Sequence, residues 1–234
     1  MSPIWDTALV SHALIETEYE KNTTTEIKNA LDWLKERQLS NEPGDWRIQK
    51  PELAGGGWAF QYSNYYYPDL DDTSVVAWAM HRTKKNIYSK SIDRAANWVA
   101  GMQSRNGGFG SFDTDNTHYY LNEIPFADHG ALLDPPTADV TGRAIALLSL
   151  ADVEMYEKQI NSAIEYLKTE QEENGSWFGR WGTNYIYGTW SVLTALEIAG
   201  QDPQQDYIRK AVKYLTSTQN DDGGWGESLS LIHI

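Results

Sequence analysis

The sequence contains no cysteine, which excludes disulfides, thiolate nucleophiles and thiolate metal sites. Basic residues are scarce. The 19 Lys and Arg stand against 33 Asp and Glu for a net charge of -14, so phosphate polyanions are poor partners and nucleic-acid binding is not expected. No apolar run is long enough to span a bilayer and no signal-peptide pattern opens the chain. It reads as cytoplasmic and at most bound at a membrane surface. Low-complexity segments are also missing, so the 234 residues are expected to form one folding unit or part of one.

Helical periodicity recurs along the chain and strand alternation does not. The spacing predicts an all-α fold with helices over Thr7–Tyr19, Thr25–Gln38, Asp71–Lys84, Ser89–Gln103, Ala138–Ala151, Tyr156–Gln171, Tyr185–Ala199 and Gln205–Thr218. These pair into helical hairpins. Between hairpins run long Gly- and Trp-rich loops, and loops of that length are expected to carry function. Three of them open alike, with "RAANWVAGMQSRNGGFG", "SAIEYLKTEQEENGSWFG" and "KAVKYLTSTQNDDGGWG". Each is an amphipathic helix, then Gln, then Gly four residues on and an aromatic two beyond. "NALDWLKERQLSNEPGDW" reads as a variant with extra residues before Gly44. The Gly permits a sharp helix exit, and the Gln amide can bond backbone groups freed at helix ends. The plain structural reading is a helical repeat array with Trp packed between hairpins.

One segment departs from that pattern. "YYYPDLDDTSVVAWAM" places Asp69, Asp71 and Asp72 within four positions at a helix start. Acidic residues are favoured there simply as caps. The helical turn after Asp71 and Asp72 presents Val75 and Val76, so the pair lacks the one-turn carboxylate spacing that shares magnesium. "DTDNT" at 113–117 lacks the Gly and distal Glu of a calcium loop and reads as a structural turn. No metal or cofactor is implied.

The Gln-Gly-Trp repeats and "PDLDDT" resemble the squalene-hopene cyclase family of class II triterpene cyclases. "SPIWDT", "GGGWAFQYSNYYYPDLDDTSVVAW", "DNTHYYLNEIPFADHGALLDPPTADVT" and "GSWFGRWGTNYIYGTWSV" resemble family segments in the family's order. The resemblance implies an α/α (toroid) barrel and a proton-initiated cyclisation of squalene or a longer or partly cyclised C35 polyprenoid. It also implies peripheral membrane contact in the full-length enzyme, and a homodimer is a further expectation.

An unactivated alkene needs a stronger acid than a solvated carboxyl. Crowded carboxylates cannot all ionise, and a helix N-terminus stabilises the conjugate base left after proton delivery. By family analogy Asp71 is the proton donor, tuned by Asp69 and Asp72. The resemblance assigns Trp5, Phe60, Tyr67, Trp181 and Tyr187 to the cavity wall, and Asp134 and Asp139 to polar positions behind the acid. Two positions depart from it. Arg143 stands where hopene-forming members carry His, and Phe112 stands where many carry Tyr. Arg cannot relay protons, but its fixed charge can support an aspartate conjugate base.

The alternative is a noncatalytic repeat module whose aromatic loops bind glycans or protein partners, with freely ionised aspartates. A prenyltransferase-like barrel would need a zinc set, and the histidines are scattered at 12, 81, 118, 129 and 233. Six hairpins need about twelve helices, so the eight predicted here make an incomplete barrel. Residues 1–228 are expected to be part of a catalytic barrel that is inactive alone. Residues 229–234, "LSLIHI", resemble no family segment and match the in-frame translation of a transposon-end sequencing adapter; they are expected to be a non-native tail, and Met1 is not expected to be a natural start.

Overall fold

The computed structural model describes residues 2–17, 24–40, 42–83, 86–123 and 133–228. The proposed tail at 229–234 lies outside them, as does His129. Nine helices occur among the described residues: α1 (Pro3–Glu16), α2 (Thr24–Lys35), α3 (Trp46–Gln49), α4 (Leu70–Arg82), α5 (Ser89–Gly101), α6 (Ala138–Asp152), α7 (Glu157–Thr169), α8 (Asn184–Ile198) and α9 (Asp206–Ser217). Helix α1 begins four residues earlier than its periodicity indicates. Pro3 occupies its first position, where the missing N–H and fixed φ suit a helix start. The short α3 was not foreseen; it interrupts the loop before α4.

The helices form two layers. Helices α1, α4, α6 and α8 pack in succession against one another, while α2, α5, α7 and α9 each pack behind the helix they follow in sequence. The inner row is buried on several sides: ten of the thirteen residues of α4 and eleven of the fifteen of α6 are buried, so neither carries a single apolar stripe. The outer helices are one-sided. Helix α9 buries only Ile208 and Ala211. Residues 153–156 join α6 to α7 and 199–205 join α8 to α9, so these inner-to-outer connections are short, and the long loops return the chain to the start of the next inner helix. The N-termini of the inner helices therefore gather at one end of the array.

The repeats are joints between hairpins. Gln103 Nε2 donates to Gly107 O at 2.8 Å within its own loop and to Gln159 O at 2.9 Å in the first turn of α7. Gln171 does the same to Gly175 O and to Tyr207 O in α9, at 2.9 and 2.8 Å. Gln38 bonds Gly56 O at 2.7 Å and Ser91 O in α5 at 2.8 Å. The repeat glycine of the first joint is thus Gly56, not Gly44, and the aromatic is Trp58. The segment between Gln38 and Gly56 carries an insertion that the Gly44–Trp46 pair disguised. A Cβ on Gly56 would lie 2.2 Å from Arg94 O, whereas Gly107 and Gly175 are required for their φ of 92° and 94°.

A second element of the joint escaped the sequence reading. Thr73, Thr141 and Thr189 on the inner helices accept the backbone N–H of Trp58, Phe109 and Trp177 at 2.8, 3.0 and 3.0 Å. Trp58 and Trp177 then turn their indole N–H groups back to Leu34 O and Leu167 O at 2.6 and 2.7 Å. All three aromatics are fully buried. The fourth joint has one half of this: Gln219 bonds Gly223 O at 2.7 Å, and Trp225 is 47% exposed.

Removing a doubly bonded Gln leaves two carbonyls without their donor, so Gln171→Ala is expected to cost about 2 kcal/mol of unfolding free energy. Gln219→Ala, which removes one bond at an exposed site, should cost about 1 kcal/mol or less. Denaturant unfolding of the two variants checks this; equal losses would show that the second bond contributes nothing.

Candidate active site

The carboxylate cluster is built from the backbone outward. Trp58 and Asp69 form an isolated antiparallel bridge, with Asp69 N donating to Trp58 O at 2.8 Å, so the loop between them is pinned at its base. Asp69 is extended and caps α4, its Oδ1 accepting from Asp71 N at 2.7 Å and Asp72 N at 3.0 Å. That cap fixes the first turn of α4 and aims Asp71 and Asp72 together. All three carboxyls are buried.

Arg143 rises from the second turn of α6, and its Nε lies 3.3 Å from Asp71 Oδ1. Burial pushes the Asp71 carboxyl up to about 7, with Arg143 opposing the shift and Asp139 adding to it. Asp72 is pushed up to about 8 by burial, then by the charges of Asp71 and Asp6. Asp69 is raised too, by burial and by its two neighbours, against the bonds it accepts as a cap. The cluster therefore holds protons at a pH where solvated carboxyls have lost them.

Asp69, Asp71 and Asp72 form part of the wall of a cavity of about 360 Å³ whose other lining residues are Ser2, Trp5, Phe60, Phe112, Trp181 and Tyr187. Phe112 and Trp181 meet edge to face at 6.2 Å. Five of the six aromatic positions singled out from the sequence thus share one cavity with the three carboxyls. Tyr67 does not. It sits in a turn, N–H bonded to Asn64 O at 3.0 Å, is 45% exposed, and lines a neighbouring cavity with Asp45, Trp46 and Tyr66. The turn over 64–67 closes at Tyr67, before the bridge at Asp69, and Phe112 lines both cavities.

The two outlying aspartates differ. Asp139 stands one helical turn before Arg143; its Oδ2 accepts from Trp181 N at 3.0 Å, and its buried Oδ1 has no hydrogen-bond partner. It orients one wall residue and adds negative charge beside Asp71. Asp134 instead accepts from the backbone N–H groups of Ser111, Phe112 and Asp113. It shapes the loop that carries Phe112, and that loop is tied to the acid's helix by the Leu70 N to Ser111 O bond of 2.8 Å.

Neighbours missed in the sequence include Asp6, His12 and Trp190. His12 Nε2 contacts Val75 O at 3.0 Å, and its ring is held well below the usual His range, at about 4, chiefly by burial. Trp190 lies three residues after Tyr187 on α8, a spacing that could have marked it as a neighbour of the wall.

Comparison with known proteins identifies the family. A family profile, the squalene-hopene cyclase C-terminal domain, matches residues 1–232. The chain belongs to that family. It is 53% identical over 204 residues to the squalene-hopene cyclase of Zymomonas mobilis, covering 85% of this chain and 31% of that protein. It is 44% identical over 203 residues to the squalene-hopene cyclase of Alicyclobacillus acidocaldarius, covering 86% and 32%. The chain thus spans about a third of the length of these relatives. In fold it resembles a type II terpene cyclase from Scytonema, with a TM-score of 0.61 at 20% identity over 96% of this chain and 56% of that one. Among the described residues of this squalene-hopene cyclase domain, no helix is long and apolar enough to cross a membrane.

The raised carboxyls have a cost in stability. A carboxyl whose pKa is higher folded than unfolded contributes fully below its unfolded value near 4 and loses that contribution as pH rises through its folded value. For Asp72 the loss runs from roughly pH 4 to about 8. Asp72→Asn is therefore expected to raise Tm by roughly 3–5 °C at pH 8.5 and to leave it nearly unchanged at pH 4. Thermal unfolding at the two pH values checks the sign; a larger effect at pH 4 would reverse it.

Proposed function

We propose that this domain supplies the proton donor and adjoining cavity wall of a class II terpene cyclase acting on squalene or a longer polyprenoid. The observation that carries the reading is Asp71. It is a buried carboxyl holding its proton up to about pH 7 at the edge of an aromatic cavity. In this mechanism Asp71 gives its proton to the terminal alkene of a folded polyene, and the new C–H bond leaves a tertiary cation. The negative charge left on Asp71 is met by Arg143 and by the N-terminus of α4. Asp69 holds the donor in place as cap, and Asp72 keeps the cluster short of full ionisation.

As rings close, positive charge moves along the substrate. Trp5, Phe60, Phe112, Trp181 and Tyr187 present π faces and exclude water, and both properties protect a cation from quenching. The product class is a polycyclic triterpene of hopene type or a relative of it. The substrate's apolarity implies delivery from a lipid phase, so peripheral membrane association belongs to the same proposal. A module that only bound glycans or proteins would gain nothing from burying three carboxyls together, and their burial favours the enzyme reading. Because the chain spans a third of its relatives, turnover is expected of a longer protein that contains it.

The test is an intact cyclase carrying this domain, incubated with squalene and with C35 substrates, the products identified by mass spectrometry. Asp71→Asn should lower turnover by at least about a hundredfold, since the amide keeps the shape but has no acidic proton. Asp69→Asn and Asp72→Asn should also weaken turnover severely. Near-normal turnover by the Asp71 variant would sink the assignment. Because the donor must be protonated, turnover should fall as pH rises through about 7. Arg143→Gln should lower kcat by roughly tenfold with less effect on KM; a change confined to KM would place Arg143 in binding instead.

A further inference from the structure

Helices α6 and α8 approach closely at one point. A Cβ on Gly142 would lie 3.1 Å from Ser191 O, and Ser191 Oγ donates to Asp139 O at 3.1 Å. This contact brings the next residue of one helix against the preceding residue of the other. The guanidinium carbon of Arg143 lies 5.1 Å from the ring centre of Trp190 and 5.9 Å from that of Trp5. Trp190 is 49% exposed and does not line the cavity that holds Asp71. Its contact is with the arginine, and Tyr187 leans on its ring at 6.3 Å.

Arg143 needs such a support. Its Nε is buried and makes no hydrogen bond, although it stands 3.3 Å from Asp71 Oδ1. The charge attraction to Asp71 and a side-chain hydrogen bond with Tyr187 leave the plane of the guanidinium less constrained than its distance, and a long side chain retains several rotamers. An indole face restricts them, because a guanidinium is attracted over the ring plane.

We propose that Trp190 is a positioning residue for the acid: its indole face holds the Arg143 guanidinium against Asp71. The proposal rests on the cyclase reading for its kinetic consequence and not for its geometry. The groups that face Asp71 are Asp69 and Asp72 on its own helix, Arg143 and Asp139 on α6, and Tyr187 on α8. Helix α1 adds Asp6, which acts on Asp72, and His12, which acts with Arg143. Arg143 is the cation of this set that lowers the Asp71 carboxyl. Letting the guanidinium swing away leaves the other negative groups in place, so the carboxyl becomes a weaker acid.

The test compares Trp190→Ala, Trp190→Leu and Trp190→Phe in the intact cyclase. Turnover should fall roughly tenfold in the Ala and Leu variants with KM little changed, and Phe, which restores a π face, should recover most of it. The deciding readout does not require turnover. An infrared titration of the protonated Asp71 carboxyl, assigned by its disappearance in Asp71→Asn, should show the midpoint moved to higher pH in Ala and Leu but not in Phe. An unmoved midpoint in Trp190→Ala overturns the proposal whatever happens to kcat, and so does a Phe variant shifted as far as Ala. If the parent enzyme cyclises neither substrate, the cyclase reading fails, and the carboxyl titration still decides the role of Trp190.

Discussion

The cap that Asp69 places on α4 is the interaction on which the site depends. One oxygen accepting two backbone N–H groups sets where the first turn begins, and so decides which faces Asp71 and Asp72 present. Had the helix started a residue later, the two carboxyls would have rotated by about 100° about its axis. The cap is itself held by the bridge to Trp58, whose backbone is bonded to Thr73 one turn along the same helix. Donor, cap and repeat joint are therefore one continuous hydrogen-bonded unit.

Burial and proximity pull the same cluster in different directions. Three carboxyls shielded from water by Trp5, Phe60, Phe112 and Trp181 resist ionisation, which suits a proton donor and opposes a stable fold at neutral pH. The inner helices offset this by converging their N-termini at the site. Arg143 adds one cation on the side facing Asp71. The balance leaves both Asp71 and Asp72 well above the usual carboxylate range, with the arginine lowering the member it faces.

Much of this was legible in the residues, for reasons that differ element by element. The eight long helices were readable because outer helices such as α9 keep a clean apolar stripe and inner ones such as α6 carry a dense apolar run, here Ala144–Leu148. The Asp69 cap was readable because acceptor and donors lie within three residues of each other. Gly44 misled because a Pro-Gly-Asp-Trp turn imitates the repeat, and only the hydrogen bonds of Gln38 show the true register at Gly56. Tyr67 stands two residues before Asp69 in sequence, yet the turn over 64–67 places it in the wall of the neighbouring cavity. The threonines of the joints were silent, since each accepts from a loop residue 12 to 32 positions away, and for Trp190 the three-residue spacing from Tyr187 marks a neighbour of the wall but not its contact with Arg143 on another helix.

The glutamine joints also say something about the order in which such a chain can become ordered. Each amide binds its own loop, four residues away for Gln103 and Gln171 and eighteen for Gln38, a contact that needs no later helix. Its second bond spans 53, 56 or 36 residues and cannot form until the following hairpin exists. A loop can thus take its shape early and then wait, with one donor already aimed, for the helix that will complete it. The array is predisposed to zip from one hairpin to the next, each finished unit offering the following one a single preferred register.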